Sequence, residues 1–389
     1  MITTLLLDLD DTLLENNIDA FLPVYLERLG AHLDALVPAA QLIPALLEAT
    51  RLMMQNRDPG RTLQQAFADA FFPRLGVARR DLESRFQSFY ATQFPHLRTL
   101  TRVRPEARQL VEAALRAGIE LAVGTNPLFP RTAIEQRLSW AEVPVGDIAY
   151  AFVPSYETMH FCKPDPAYFA EVLGRLGRAP HQAAMIGDNP DDDLAPARLL
   201  GMAVFRMEEP AEQNLRRAQA WLTQAHEHTD PRAACEPAAI LALLRGHLAA
   251  FLGLTADLDS DRAADRPAPH SWAPVEILAH VGDVEGEVNA PRLDKVLSEN
   301  NPFLSAVDTD RWADERGYRQ RPVAAARQSL LKGRMEIVSR LEGLEPVEWQ
   351  SPARHALLGP TTLRELIGVT VEHDRLHLAQ LRAALAPRS

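Results

Sequence analysis

The stretch that decides the fold is the first fourteen residues, Met1 to Leu14, MITTLLLDLDDTLL. Residues 2 to 8 form a short apolar run that ends in acid, the pattern of a parallel strand buried on both faces with polar groups at its carboxyl end. Beyond it, from about 17 to 94, apolar residues recur at helical spacing, as at Phe21, Val24, Tyr25 and Leu29 and again at Leu42, Leu46 and Leu47. This predicts several packed helices without a strand. Strand and helix patterns then alternate after Arg104, with helices expected over 105–117, 131–139 and from Pro166 to the glycines at 174 and 177. The matching strands are expected at 119–126, 147–153, 183–188 and 202–207. Such alternation implies an α/β doubly wound parallel sheet, here a domain over 1–230 with an all-α cap at about 15–98. Sheets of this kind bind ligands at the carboxyl ends of their strands.

The text changes in kind near TDPRAACEP at 229–237. Four long helical segments follow, roughly 237–254, 272–299, 322–343 and 361–385, joined by proline-containing connections that show no strand pattern. A separate antiparallel four-helix bundle over 231–389 is the expected architecture.

Composition narrows the partners. The 389 residues are 47% hydrophobic and 24% charged, as expected of packed domains rather than disorder. Forty-one basic against fifty-two acidic side chains give a formal charge of -11, and no dense basic stripe suggests a nucleic-acid partner. Acid begins at Asp8 without a basic leader, and no apolar run is expected to reach the roughly 18 residues needed to span a bilayer, so a cytoplasmic protein is expected. The two cysteines, Cys162 and Cys235, lie far apart, which fits a reducing compartment. Lysine occurs only at 163, 295 and 332, so thirty-eight of the forty-one basic residues are arginine. Each lysine therefore stands out.

Asp8, Asp10 and Thr12 occupy alternate positions after the first strand, so extended geometry would project both carboxylates to one side. One can attack while the other carries a proton. The other strand ends supply matching groups. Thr125 and Asn126 offer a hydroxyl and an amide for phosphoryl oxygens, Lys163 offers a cation, and GDNPDDD at 187–193 offers acids suited to Mg2+. Thr12 and Asn126 are the expected substrate contacts.

With DLDDT, GTN, CKPDP and GDNPDDD in this order, residues 1–207 resemble the haloacid dehalogenase superfamily with its helical cap between the first two motifs. The resemblance implies that Asp8 is the nucleophile forming an aspartyl-phosphate and Asp10 the general acid and base. It implies that Thr125 and Lys163 bind the phosphoryl group, and that Mg2+ is held by Asp8, the Asp10 carbonyl, Asp188 and a following acid. Asp192 and Asp193 both fit that last position, with Asp193 favoured because it opens the next helix. Asp10 also separates the family's chemistries, since a phosphate ester needs its leaving oxygen protonated and a halide does not. A phosphatase for a small phosphorylated metabolite is expected.

In the bundle, His373 and His377 lie four apart on one face of the last helix, in a stripe with Leu366, Thr370, Leu381 and Ala384. His280 falls in the apolar stripe of the second helix. Three inward imidazoles can converge on a metal, which offsets the cost of burying them. Asp283 and Glu287 read as flank residues that could also accept from an imidazole, and Trp272 and Trp312 read as core or loop anchors. The segments SWAPVEILAHVGDVE, NPFLSAVDTDRWADERGY and HALLGPTTLRELIGVTVEHDRLHLAQL resemble the DinB-like four-helix metalloproteins over about 237–386. That resemblance implies Zn2+ or Ni2+ on His280, His373 and His377. It also brings a low-molecular-weight thiol as a candidate partner and homodimer formation as a candidate assembly. An alternative assignment makes the bundle a thiol transferase, isomerase or sensor, with the hydrolase half accessory.

Overall fold

The computed structural model describes residues 1–386, so the last three residues of the expected 231–389 domain lie outside the described residues. The chain divides into two compact units. One comprises Met1–Tyr168, His181–Arg198 and Met202–Asp230, and the other Phe169–Pro180, Leu199–Gly201 and Pro231–Ser389.

The first unit is built on a five-stranded parallel sheet. Its strands are β1 (Thr4–Leu7), β4 (Glu120–Val123), β5 (Tyr150–Phe152), β6 (Ala183–Gly187) and β7 (Ala203–Arg206), in the order β5-β4-β1-β6-β7. Leu5, Leu6 and Leu7 of β1 are fully buried, which is why the run carries no polar face. Leu7 pairs in register with Val123 of β4 and with Ile186 of β6. Three neighbouring strands therefore end nearly level, and Asp8, Gly124 and Gly187, each one residue beyond these paired positions, emerge on one edge. The chain leaves β1 on both sides, so this edge is the switch point at which such sheets carry their chemistry.

Four cap helices follow β1: α1 (Ile18–Leu33), α2 (Ala39–Met54), α3 (Leu63–Phe71) and α4 (Arg79–Thr92). Asn17 caps α1 by accepting from the Asp19 and Ala20 amides, and Thr62 with Gln65 forms a capping box on α3. Phe21, Tyr25, Phe89 and Phe94 interlock edge-to-face in the cap core, and the Tyr25 and Tyr90 hydroxyls meet at 3.0 Å. A two-stranded antiparallel ribbon, β2 (Leu14–Glu15) with β3 (Arg102–Val103), closes the base of the cap. Two residues per strand leave too short a pattern to read from sequence. At the start of α3, the Leu63 and Gln64 amides donate to the Met159 and Tyr156 carbonyls, both at 2.8 Å. This ties the cap to the loop that carries Lys163.

In the second unit, the long helices run over Pro237–Leu254, Pro274–Ser298, Val323–Glu342 and Leu363–Leu385. The second is interrupted by a π turn at Glu285–Asn289. Two expectations need correction. A small sheet is present, with β8 (Phe303–Leu304) beside β9 (Pro352–His355), which pairs antiparallel with β10 (Gly359–Thr362). Its strands are too short and too polar to show a period, and the hairpin turns at Gly359 with φ +75°. The first bundle helix, Pro237–Leu254, is long and apolar enough to cross a bilayer by length and composition, but 67% of it is buried inside the fold. Its apolarity serves the core.

Candidate active site and metal centre

Asp8 extends β1 and is nearly sealed from solvent. Its Oδ1 accepts a hydrogen bond from Lys163 Nζ at 3.0 Å, and the same ammonium pairs with Asp193. Asp193 reaches this position through a π turn at Pro190–Leu194 directly after β6, a distortion frequent at functional sites. Its Oδ2 accepts from the Asn189 amide at 3.2 Å. The approach depends on Gly187, where a Cβ would fall 2.2 Å from Asp193 Oδ2. Asp8, Asp188 and Asp193 each offer an oxygen within 4.8 Å of the others. Asp192 instead accepts from the Asn189 amide group at 3.1 Å and stays outside this cluster.

The electrostatics follow from burial. Desolvation pushes the Asp8 carboxyl well above the usual range; Lys163 opposes this, and the charges on Asp193 and Asp10 add to it. Burial, then Asp193 and Asp11, push Asp188 up to about 6. Burial alone would lower the Lys163 ammonium, but Asp8 and Asp193 more than offset it and hold the side chain protonated. One lysine faces three carboxylates, and all the free donors are oxygen. That donor set fits a hard divalent cation such as Mg2+.

Asp10 is turned differently. Its Oδ1 accepts from Asn16 Nδ2 at 2.8 Å and its Oδ2 pairs with Arg137, a buried guanidinium lying 4.8 Å from the Phe129 ring. Arg104 donates to the carbonyls of Asp11 and Thr12 and pairs with Glu209 at 2.6 Å. It thereby fixes a loop in which Asp11 has φ 54°. Sequence reasoning missed Asn16, Arg104 and Arg137. Only Arg137 left a signal, a charge on the apolar helical face of Ala133, Ile134 and Leu138.

Thr12 is fully buried, and its hydroxyl has no partner among the described residues. Thr125 is buried at the same strand edge, its carbonyl accepting from the Tyr168 hydroxyl at 2.8 Å. Asn126 departs from expectation. Its side chain clasps the Lys163 backbone, Oδ1 accepting from the Lys163 amide at 3.2 Å and Nδ2 donating to its carbonyl at 3.4 Å. The amide that sequence reading assigned to phosphoryl oxygens is occupied in positioning the lysine.

In the bundle, the Nε2 atoms of His280 and His377 lie 3.3 and 3.1 Å from His373 Nε2. His377 Nδ1 faces Gln380 Oε1 at 2.8 Å; as the donor in that pair it leaves the Nε2 lone pair free, the tautomer a metal requires. Burial, then the neighbouring imidazoles, lower His280 to about 3 and His377 to about 4. Three neutral nitrogen donors of this kind fit a borderline metal such as Zn2+ or Ni2+. Trp272 stacks on His377, with centroids 5.6 Å apart and planes at 6°. It walls the cluster rather than merely anchoring a loop. Asp283 accepts from Tyr318 at 2.7 Å and from Arg316 and Arg321, and acts on His280 through its charge. Glu287 pairs with Arg316, which lies 3.7 Å from the Trp312 ring centroid.

Sequence reading also missed a buried ion cluster beneath the histidines. Arg334 pairs with Glu285 and with Asp374, whose Oδ2 is 2.6 Å away, and all three side chains are at most 1% exposed. His247 Nδ1 lies 3.7 Å from the same Asp374 oxygen.

A parallel sheet with a buried aspartate, a lysine and clustered acids at adjoining strand ends defines a Rossmannoid hydrolase with an inserted helical cap. Residues 2–201 match the family model for haloacid dehalogenase-like hydrolases, and the chain belongs to that family. Residues 243–381 match the DinB superfamily, so a DinB-like domain is joined to the hydrolase. A phosphoserine phosphatase of Thermus thermophilus is 32% identical over 229 residues, covering 51% of this chain and 85% of the relative. A phosphoglycolate phosphatase of Rhodospirillum rubrum is 32% identical over 209 residues, covering 51% of this chain and 77% of the relative. Among solved structures, YfiT from Bacillus subtilis, described as a probable metal-dependent hydrolase with an unusual four-helix bundle topology, aligns with TM-score 0.35 at 15% identity. That alignment covers 38% of this chain and 85% of YfiT.

Proposed function

We propose that the N-terminal domain is a Mg2+-dependent phosphatase of small phosphate monoesters working through an aspartyl-phosphate on Asp8. The observation that carries this reading is the buried cluster of Asp8, Lys163 and Asp193 at the sheet edge. Asp8 Oδ attacks phosphorus and the ester P–O bond breaks, while the leaving oxygen takes a proton from Asp10, whose carboxyl is released from Arg137 and protonated when substrate is bound. Asp10 then removes a proton from water, whose oxygen attacks the same phosphorus, releasing inorganic phosphate and regenerating Asp8. Lys163 and Thr125 hold the phosphoryl oxygens, with Thr12 as a further contact, and Asn126 acts through Lys163. Mg2+ on Asp8, Asp188, Asp193 and the Asp10 carbonyl supplies positive charge against the transferring group when bound. The cap excludes water during transfer. The two phosphatase relatives support a small phosphorylated metabolite as substrate. Acid-quenched protein should yield a phosphorylated peptide containing Asp8, and its absence during turnover would contradict the mechanism.

The bundle holds a divalent transition metal on His280, His373 and His377, and a low-molecular-weight thiol is the co-substrate to test on its loaded form. The domain division at 230/231, a cytoplasmic location and pairing of bundles complete the proposal.

A further inference from the structure

Beside His373 the bundle opens into a cleft of about 230 Å3. At about 30 Å3 per water-sized group, that is room for roughly eight non-hydrogen atoms. Val288, Ile367 and Leu357 are among its apolar walls, and Arg292, His355 and His373 are its titratable groups. The π turn at Glu285–Asn289 lies in the wall, where it re-aims the residues that follow it, including Arg292.

Two of these groups have unused capacity to donate. His355 is 8% exposed, and its Nδ1 accepts from the Leu357 and Leu358 amides at 3.3 and 3.4 Å. The ring proton therefore sits on Nε2, a buried atom with no partner among the described residues. Arg292 donates to the Ser305 carbonyl at 2.9 Å, and among the described residues no carboxylate offsets its partial burial. Burial, then the charge on Arg292, lowers the His355 imidazole and favours its neutral form. A guanidinium half-buried without a counter-ion among the described residues, and an orphaned N–H lining the same apolar cleft, call for an anion. One positive charge and one neutral donor match a monoanion better than a phosphate dianion.

We propose that the cleft binds a small organic monocarboxylate, its acid group between Arg292 and His355 Nε2 and its apolar body directed along Val288 and Ile367 toward His373. The acid end stands independently of the metal assigned to the histidines.

Hexanoate, with about eight non-hydrogen atoms, is the probe, and uncharged hexanamide is its control. Calorimetric titration of the full chain, zinc-loaded and metal-depleted, should show hexanoate binding in both forms and hexanamide binding about tenfold or more weakly. Arg292→Gln, a change at a partly exposed side chain, should cost hexanoate about tenfold and leave hexanamide unchanged. His355→Asn provides a second variant with the same expectation. Equal binding of acid and amide, unaltered hexanoate affinity in Arg292→Gln, or no hexanoate binding overturns the proposal. Binding that needs zinc and ignores Arg292→Gln means coordination to the metal alone, which supports the histidine site and refutes the acid site. Arginine-dependent binding to a chain that takes up no metal does the reverse.

Discussion

Lys163 Nζ stands 3.0 Å from Asp8 Oδ1 with the two side chains only 4% and 8% exposed. One of only three lysines in an arginine-rich chain is thus spent inside the sheet edge, where it neutralises part of an acidic cluster that burial would otherwise drive to protonation. Lys163→Met should destabilise the metal-free protein by about 3–5 kcal/mol, the cost of leaving buried carboxylates without their counter-charge. Added Mg2+ should recover part of that loss. Urea unfolding with and without Mg2+ checks both parts, and equal stability of mutant and wild type would contradict the pairing.

Gly187 leaves the room that Asp193 needs to join Asp8 and Asp188. Because an added Cβ would lie 2.2 Å from Asp193 Oδ2, Gly187→Ala should force Asp193 out of the cluster. The Mg2+ concentration for half-maximal phosphate release should then rise about tenfold or more, by loss of one charged oxygen ligand. An unchanged Mg2+ requirement would place the functional acid elsewhere, with Asp192 the first candidate.

Arg334 neutralises two buried carboxylates beneath the histidines. Arg334→Met should cost the bundle about 3–5 kcal/mol because Glu285 and Asp374 remain buried without it. Thermal unfolding of the full chain should show the bundle melting earlier. If stability holds, solvent must reach this cluster.

The metal-free bundle should weaken in acid. His280 and His377 sit at about 3 and about 4 in the folded protein, against an unfolded value near 6.5. The unfolded chain therefore binds protons first as pH falls, so stability is full above about pH 7 and declines between about 6.5 and 3. The decline should be on the order of 3 kcal/mol for each of these two histidines, and His377→Gln should flatten it. Urea midpoints of metal-depleted protein across this range provide the test. Stoichiometric Zn2+ or Ni2+ should be lost in His373→Ala, as measured by elemental analysis.

Much of this was legible because its signals were local. A buried parallel strand cannot alternate, so β1 announced itself as an apolar run, and the acids that followed had to lie at its carboxyl end. His373 and His377 were legible because a helix places residues four apart on one face. Other features depended on partners far away in sequence. Nothing around Asn16 or Arg104 marks them as supports of the Asp10 loop, and Asn126 could not be assigned to Lys163 without knowing that their loops meet. The π turns at Pro190–Leu194 and Glu285–Asn289 insert a residue without changing composition, so no periodicity reveals them. Asp374 sits between the two histidines yet faces Arg334, a contact set by helix packing.

The most direct test of the central claim is Mg2+-dependent phosphate release from a panel of small phosphate monoesters, wild type beside Asp8→Asn. The account predicts turnover in the wild type that requires Mg2+ and falls by about a thousandfold or more in a mutant that remains folded. Equal release by both proteins, or none from a folded, Mg2+-supplied wild type across the panel, would contradict it.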